Sequence, residues 1–259
     1  MRVTCLQMDV QFTCVEENFL HAEKLIGDAM KDAPDVIVLP EMWNTGFFPR
    51  ERLGELADRD GQQVNSRIGS LAKKYRVNIV AGSVANARHG RVYNTAYVFD
   101  RDGKCIADYD KTHLFSPMGE DTCFQKGDRL CRFTLDGVNC GLIICYDLRF
   151  PELTRALALT GMEMLFVVSQ WPDVRIPHLK ALCAARAIEN QVYVANCNGC
   201  GTAGQTRYGG HSAVYAPLGH VLAQAGSGEE VITAKCDLSA VAEIRRAIPV
   251  FHDRRSDLY

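Results

Sequence analysis

Short apolar runs recur along the chain, each closed by a glycine, a proline or a polar residue, and they predict buried strands. These runs lie at 36–39, 77–82, 142–144, 162–170 and 192–196. Segments between them place apolar residues at helical spacing with charged residues elsewhere, which predicts amphipathic helices. These segments lie at 16–30, 62–75, 152–160 and 177–191. The alternation of strands and helices predicts an α/β fold.

The order strand, loop, helix, strand occurs twice, over 35–82 and again over 163–197. This repetition predicts two similar α/β halves that face each other. Further strands are expected at 3–7, 92–99, 105–110, 209–215 and 230–237, and a short helix at 238–244. Asp102 and Gly103 supply the turn of a hairpin between two of these strands. No linker divides the sequence, so we expect a single domain over residues 1–259.

Composition narrows the class of protein. Hydrophobic residues form 47% and charged residues 23% of the chain, as in ordinary folded globular proteins. A net charge of −2 with dispersed lysines and arginines offers no electrostatic surface for nucleic acid. No apolar run approaches the roughly 18 residues that span a bilayer, and the N-terminal segment lacks a signal-peptide layout. We therefore expect a cytoplasmic protein that binds neither nucleic acid nor membranes.

Eleven cysteines are an unusual number, but the count is odd and they are dispersed along the chain. This pattern favours reduced, mostly buried thiols in a reducing compartment over a disulfide framework. Cys197 and Cys200 form the only C-x-x-C motif, and no second pair stands at metal-ligand spacing. We expect packed thiols there and no bound metal, with a zinc or redox role as the alternative.

The segment 141–153 concentrates polar chemistry behind a buried strand. Cys145 follows the strand at 142–144, and Pro151 stands where the next helix begins, so the cysteine lies in a strand-to-helix turn. Backbone N–H groups at such a turn can hold an oxyanion, and nearby positive charge can lower a thiol pKa. Cys145 is therefore a candidate nucleophile, although many cysteines at strand ends are simply packed.

Two further residues also follow predicted strands. Glu41 comes after the run at 36–39 and precedes bulky apolar residues, which would raise its pKa and suit it to act as a general base. Lys111 follows the strand at 105–110 and would supply a fixed cation for an oxyanion. Each alone could equally be a solvated surface residue. Because sites form at the carboxyl ends of strands in α/β sheets, the two could converge with Cys145.

Three sequence blocks resemble the catalytic motifs of the nitrilase superfamily of carbon–nitrogen hydrolases. They are LPEMWNTGF around Glu41, YDKTHLF around Lys111 and LIICYDLRFPEL around Cys145, in that order. The resemblance extends from the first strand to the C-terminal tail. It implies a four-layer αββα sandwich of the nitrilase type and a homodimer joined through helices.

The resemblance also implies the roles of individual residues. Cys145 would be the nucleophile that forms a thioester, Glu41 the general base and Lys111 the stabiliser of the tetrahedral intermediate. The backbone N–H of Tyr146 would be a second oxyanion donor. A second glutamate of the family matches Glu120 best, although Asp121 is adjacent. No cofactor or metal is required.

Within the superfamily, the motifs GGHSAVYAPLG and AEIRRAIPVFHDRRSDLY are similar to the Nit branch, and above all to the omega-amidases. Those enzymes hydrolyse the terminal amide of 2-oxoglutaramate or 2-oxosuccinamate. Such a substrate needs a cationic clamp for its carboxylate, for which Arg149 and Arg175 are the candidates. Trp171 and Phe48 would form pocket walls. Arg149 could equally be a structural partner of the Cys145 turn.

Alternatives of other kinds remain at this stage. An amidase acting on deaminated glutathione or an N-carbamoyl compound is the nearest, and a nitrilase is a second enzyme reading. A non-catalytic scaffold that binds a partner would be expected to lack a member of the triad, and all three are present. A thiol-redox protein built on Cys197 and Cys200 predicts activity that survives the loss of Cys145.

Overall fold

Two β-sheets lie face to face in the computed structural model, which describes residues 1–47 and 49–258. The strands are β1 Arg2–Gln7, β2 Val36–Val38, β3 Asp58–Arg59, β4 Asn78–Arg88, β5 Arg91–Phe99, β6 Cys105–Asp110, β7 Cys131–Leu135, β8 Val138–Ile144, β9 Met164–Ser169, β10 Tyr193–Asn198, β11 Cys200–Ala203, β12 Thr206–Gly209, β13 Ala213–Tyr215, β14 Val221–Gln224 and β15 Glu230–Lys235. The α-helices are α1 Val15–Ala29, α2 Leu53–Leu56, α3 Gln62–Tyr75, α4 Pro151–Ala158, α5 Ile176–Asn190 and α6 Ser239–Ala247.

The two sheets share one strand pattern. Sheet one has the order β15-β1-β2-β4-β5-β6, with β3 beside β4, and sheet two has the order β7-β8-β9-β10-β13-β14. In each, three neighbouring parallel strands are flanked by one antiparallel strand on one side and two on the other. The predicted repetition of two similar halves is therefore confirmed. The strands β11 and β12 form a separate hairpin.

The strands of sheet one are apolar at consecutive positions, so both faces of the sheet have to be buried. Ile37 and Leu39 pack with Phe19 of α1 and Ile68 of α3. Val38, which lies between them on the strand, faces the other side of the sheet and belongs to the core shared with sheet two. Side chains of successive residues thus enter different layers.

Sheet two completes the sandwich. Leu157 of α4 and Ala187 of α5 pack in the same core as its strands. Across the sheets, the thiol of Cys197 in β10 donates to the carbonyl oxygens of Leu6 and Val38, each at 3.2 Å. The layers are α1 and α3, sheet one, sheet two, and α4 and α5, which confirms the predicted αββα sandwich. None of the helices in the described part of the chain is long and apolar enough to cross a membrane.

The predicted strand at 77–82 is longer than expected. A bulge interrupts its pairing between Val80 and Ser83, after which β4 continues to Arg88. Gly82 has φ +59°, and a Cβ atom there would lie 2.0 Å from the Pro40 carbonyl oxygen. Only glycine fits so close an approach of backbones. In the sequence, Gly82 suggested the end of this strand. In the structure, the absence of a side chain at Gly82 lets β4 lie directly against the segment before Glu41.

Candidate active site

Glu41 is held in place by the bulged strand. The N–H of Ser83 donates to the Pro40 carbonyl at 3.1 Å, and the N–H of Met42 donates to the Ser83 hydroxyl at 3.1 Å. The carboxylate is fully buried, as the surrounding apolar residues predicted. Its Oε2 accepts the backbone N–H of Gln170, from the end of β9, at 2.9 Å. Both sheets therefore fix this side chain.

Lys111 follows β6 and is also fully buried. Its Nζ lies 2.8 Å from Oε1 of Glu41 and 2.9 Å from each carboxylate oxygen of Glu120. An ammonium group has three protons, and one of them can serve both oxygens of a single carboxylate, so these contacts leave a proton for a ligand. Burial opposes the charge, but the two carboxylates outweigh it and hold the Lys111 pKa well above its usual value. The lysine is a permanent cation.

The structure separates Glu120 from its acidic neighbour. Glu120 is fully buried, whereas Asp121 is exposed. The Oε2 of Glu120 also accepts the N–H of Phe115 at 2.6 Å, which fixes the loop around the lysine. Asn94 of β5, which the sequence analysis did not single out, joins the cluster: its Nδ2 donates to Glu41 at 2.9 Å and to Glu120 at 3.3 Å. An asparagine inside a predicted buried strand was the available signal.

Cys145 stands where the strand–turn–helix pattern predicts. The strand β8 ends at Ile144, a 3₁₀ turn spans Cys145–Arg149, and α4 begins at Pro151. Cys145 has φ +48°, a strained conformation for a residue with a side chain. Its thiol and the Glu41 carboxylate lie close enough to influence each other's pKa. The turn thus aims the sulfur at the glutamate.

The electrostatics of this pair favour a neutral thiol at rest. Burial and the negative charge of Glu41 raise the pKa of Cys145 well above its usual value, against the opposing effect of Lys111. Burial also raises the pKa of Glu41, partly offset by Lys111. The arrangement is a thiol beside a carboxylate base of raised proton affinity, and not a preformed thiolate.

Asp147 ties the cysteine turn to the lysine segment. Its Oδ2 accepts the N–H of Ile144 at 3.0 Å and the hydroxyl of Tyr109 at 2.8 Å, and its Oδ1 accepts the N–H of His113 at 2.9 Å. Because Tyr109 and His113 flank Lys111, the carboxylate couples both segments. Asp147 is part of the sequence motif around Cys145, but the motif alone does not indicate this role.

A cavity opens above the thiol. It encloses about 380 Å³ of empty space, its open mouth included. Its lining comprises Phe47, Phe115, Met118, Cys145, Tyr146, Arg149, Gln170, Trp171, Pro172, Arg175 and Tyr208. The structure thus brings Tyr146, Arg149, Trp171 and Arg175 together at one cavity, whereas Phe48 lies outside the described residues. Tyr208 was missed because the β11–β12 hairpin was not predicted.

Two arginines line this cavity without acidic partners. The guanidinium carbon of Arg149 lies 4.7 Å from the centre of the Trp171 ring, and that of Arg175 lies 5.1 Å from the Phe115 ring. Arg149 also has a nitrogen 3.3 Å from Nδ1 of His178. Within residues 1–47 and 49–258, neither guanidinium forms an ion pair with a carboxylate. Aromatic stacking thus holds two cationic groups open to a ligand.

Cys197 and Cys200 lie elsewhere. Both are buried, and the Cys197 thiol is bonded to main-chain carbonyl groups between the sheets. Burial raises the pKa of each thiol, that of Cys200 to about 12. The described part of the chain contains no group of three or more side chains suited to hold a metal ion. The geometry is that of packed thiols.

A buried cysteine, a glutamate and a lysine at the strand ends of an αββα sandwich, with a second glutamate on the lysine, define the site of a carbon–nitrogen hydrolase. The sequence profile of the carbon–nitrogen hydrolases matches residues 2–246. The chain belongs to this family, as the three motifs predicted.

Individual relatives agree with the family. The chain is 45% identical to the 2-oxoglutaramate amidase of Bacillus subtilis, over 99% of this chain and 98% of the relative. It is 33% identical to the omega-amidase NIT2 of Bos taurus, over 100% of this chain and 96% of that protein. The crystal structure of Nit3 from Saccharomyces cerevisiae, a member of branch 10 of the nitrilase superfamily, superposes with a TM-score of 0.91 at 29% identity. The superposition covers 98% of this chain and 96% of Nit3.

Proposed function

We propose that this enzyme hydrolyses the terminal amide of a small 2-oxo dicarboxylate monoamide, such as 2-oxoglutaramate or 2-oxosuccinamate, and releases ammonia. The observation that carries this proposal is the pair of arginines, Arg149 and Arg175, at the cavity that contains Cys145. A guanidinium group binds a carboxylate strongly and with defined geometry. The relatives named 2-oxoglutaramate amidase and omega-amidase support the same substrate class.

Attack begins with the Cys145 thiol beside the Glu41 carboxylate. The sulfur forms a bond to the amide carbon, its proton passes to the Glu41 carboxylate, and the carbonyl π electrons move to oxygen. The raised pKa of Glu41 makes it a better proton acceptor than an exposed carboxylate. Since the thiol is neutral at rest, proton transfer and attack occur together.

The oxyanion is stabilised by Lys111 and by the backbone N–H of Tyr146. Lys111 contributes a buried positive charge at short range, where a low dielectric strengthens its effect. Glu120 acts through Lys111: its two oxygens hold the ammonium in position. Glu120 is thus a positioning residue for the lysine.

Collapse of the intermediate breaks the carbon–nitrogen bond. The nitrogen takes the proton from Glu41 and leaves as ammonia, so the acyl group remains on Cys145 as a thioester. Glu41 then accepts a proton from water, which attacks the thioester carbon. The carbon–sulfur bond breaks, and the thiol recovers the proton.

Ammonia release from 2-oxoglutaramate tests the proposal. The assay includes 2-oxosuccinamate, a neutral amide of the same length, an N-carbamoyl compound, deaminated glutathione and a nitrile. We expect rapid turnover of the two oxo-amides and at least about tenfold lower kcat/KM for the neutral amide, because it lacks the carboxylate. Preferential turnover of any other compound would contradict the substrate assignment.

The same enzyme is expected to be a cytoplasmic homodimer. Ile188 of α5, Leu218 and Ile248 are each at least 51% exposed, and the backbone at Gly219 contacts Ile188. Exposed apolar side chains of this kind are suited to association. All eleven cysteines are unpaired, which fits a reducing compartment. Light scattering should give twice the chain mass, and Ile188→Glu should shift the protein towards monomer.

A further inference from the structure

Asn94 is a fully buried side chain of the charged cluster, and the mechanism above gives it no part. It lies on β5, and its Nδ2 donates to Oε1 of Glu41 at 2.9 Å and to Oε1 of Glu120 at 3.3 Å. Its main-chain carbonyl also accepts the N–H of Lys111 at 2.9 Å. One residue thus contacts all three charged residues of the cluster.

The amide group of Asn94 acts on the two carboxylates as a donor. If the amide were reversed, Oδ1 would face two carboxylate oxygens, none of which carries a proton to donate. In the orientation present, Oδ1 is buried and has no hydrogen-bond partner among the described residues. A buried acceptor without a partner destabilises a fold, and an apolar side chain of similar shape would avoid this cost. The donor end of the residue therefore points to a function.

The two oxygens of the Glu41 carboxylate face different sheets. Oε1 accepts hydrogen bonds from Nζ of Lys111 at 2.8 Å and from the Asn94 amide, both of which belong to the sheet-one half. Two donors match the two lone pairs of a carboxylate oxygen. Oε2 accepts one hydrogen bond within the described residues, from the N–H of Gln170 at 2.9 Å. Oε2 therefore keeps a free lone pair.

This free lone pair lies on the side of the nucleophile. Strands β8 and β9 are parallel neighbours, with Ile144 opposite Val168. Cys145 directly follows β8 and Gln170 directly follows β9, so the two residues lie at the same edge of sheet two, and both line the cavity. Because Oε2 is bonded to Gln170, this oxygen lies at that edge, whereas Oε1 is turned towards sheet one.

Glu120 is a second base beside the other oxygen. Its Oε1 shares two donors with Oε1 of Glu41, namely Nζ of Lys111 and Nδ2 of Asn94. Two carboxylate oxygens held by the same donors are near neighbours, and such a pair readily shares one proton. A proton held between them would not be available to the departing nitrogen. The Asn94 amide bridges the two oxygens and occupies this position.

We infer that Asn94 is a positioning residue for the general base Glu41. With Lys111 it fills Oε1, so that the proton of the Cys145 thiol is taken at Oε2 and is returned from there to the nitrogen. By bridging the two carboxylates it also keeps this proton from Glu120. The inference rests on the proposed attack by Cys145 on an amide.

Asn94→Leu removes the donor and keeps the approximate shape of the side chain. Hydrogen bonds to a carboxylate stabilise its charged form, so their loss should raise the pKa of Glu41. The acid limb of the kcat/KM profile for 2-oxoglutaramate should then move to higher pH by about one unit or more. Asn86→Leu is the matched control and should not move it: Asn86 is equally buried on β4 but bonds to Gly61 and Thr95.

Infrared titration follows the same group without turnover. The carbonyl stretch of protonated Glu41 is the band that Glu41→Gln removes, and its midpoint should rise in Asn94→Leu by about the same amount as the kinetic midpoint. In a Glu120→Gln background, Asn94→Leu should shift the band by less than about half as much, because the competing carboxylate is gone.

An unchanged midpoint of Asn94→Leu in either measurement would overturn the inference. An equal shift in Asn86→Leu would also overturn it, because the effect would then belong to general packing, and an equal shift in the Glu120→Gln background would refute the role towards Glu120. If the leucine variant does not fold, the smaller Asn94→Val, which suits a strand, carries the same expectations. Wild-type inactivity on 2-oxoglutaramate would refute the substrate proposal alone, since the infrared titration needs no substrate.

Discussion

The two sheets have the same strand order but carry different chemistry at their strand ends. Sheet one and the loops after it supply Glu41, Lys111 and Glu120, which are fully buried charges bonded to one another. Sheet two supplies Cys145, a neutral thiol, and the segment at Trp171 that shapes the open cavity. In the proposed mechanism, one half provides the electrostatic environment and the other provides the nucleophile. That mechanism therefore requires both sheets of the sandwich.

Because the two sheets carry different groups, mutations in them should lower the stability by different amounts. Removing one member of a buried ion cluster leaves an uncompensated charge, at a cost of about 3–5 kcal/mol. Removing a small thiol that is 9% exposed and faces a cavity leaves no buried charge behind. Mutation of the buried charges of sheet one should thus reduce both activity and stability, whereas mutation of Cys145 should reduce activity alone.

The largest effect on activity is expected for Cys145→Ala. Loss of the nucleophile should reduce ammonia release by at least about 10⁴-fold, because no thioester can form. The melting temperature should remain close to that of the wild type. Titration of the reactive thiols, with and without a bound inhibitor, should show that the variant lacks the one thiol that the inhibitor protects in the wild type. Residual turnover above about 1% would contradict the proposed mechanism.

Lys111→Met should reduce both the activity and the stability of the protein. It should reduce kcat by about 10³-fold, by loss of the charge at the oxyanion, and lower the free energy of unfolding by about 3–5 kcal/mol. Urea denaturation measures the second effect. The exposed Lys24, which pairs with Asp28, provides the control, and Lys24→Met should leave the stability almost unchanged.

The stability loss of Lys111→Met should depend on pH. Without the cation, Glu41 faces the negative charge of Glu120 uncompensated, so the pKa of Glu41 in the folded state rises further above the unfolded value. The folded protein then gains from proton uptake at low pH and loses this gain as pH rises through the raised pKa. The difference from wild type should narrow as pH falls, and a constant difference would contradict the charge argument.

Arg149→Met and Arg175→Met test the substrate end of sheet two. Each should raise KM for 2-oxoglutaramate by about 10-fold or more and leave KM for a neutral amide unchanged. Arg59 is exposed on β3, and Arg59→Met is the control. An equal change for charged and neutral amides would indicate a structural role, the alternative that the sequence left open for Arg149.

The pH profile of kcat/KM tests Glu41 without mutation. Burial raises its pKa above the usual 4.5, so the basic form disappears as pH falls through a value higher than 4.5. We expect activity to decline tenfold per pH unit below that midpoint. Glu41→Gln should lower activity by about 10³-fold. A midpoint at or below 4.5 would argue against the buried carboxylate as the base.

The smallest effect is expected for Cys200→Ala in the hairpin. Its thiol does not line the cavity and takes no part in the proposed mechanism, so ammonia release should stay within about twofold of wild type. A large loss of activity would favour the thiol-redox alternative. Equal ammonia release in reducing and in oxidising buffer would count against the thiol-redox alternative.

Much of this arrangement follows from local sequence patterns. The buried runs, the turn at Cys145 and the positions of Glu41 and Lys111 after strands are all visible in the chain, because burial on both faces and helix initiation leave local signals. The hairpin carrying Tyr208 leaves little signal, since its strands are four residues each and mix polar with apolar residues.

Other features depend on contacts that no local pattern specifies. Gly82 resembled a strand end, but its role is set by Pro40, about forty residues away. Likewise Asn94 acquires its function only when β5 brings it between two carboxylates. In the same way, no local pattern specifies that Glu120 folds inward and its neighbour Asp121 stays exposed. These are consequences of tertiary packing.

The pairing of β1 with β15 sets a condition on synthesis of the protein. Gln7 pairs with Glu230, so the first strand stays without that neighbour until about 220 more residues have been translated. At about 5–20 residues per second, this takes roughly 10–45 s. During that time the nascent chain exposes an unpaired apolar strand edge, a feature prone to aggregation. The ribosome therefore releases an active enzyme only after a long period in which chaperones have access to its first strand.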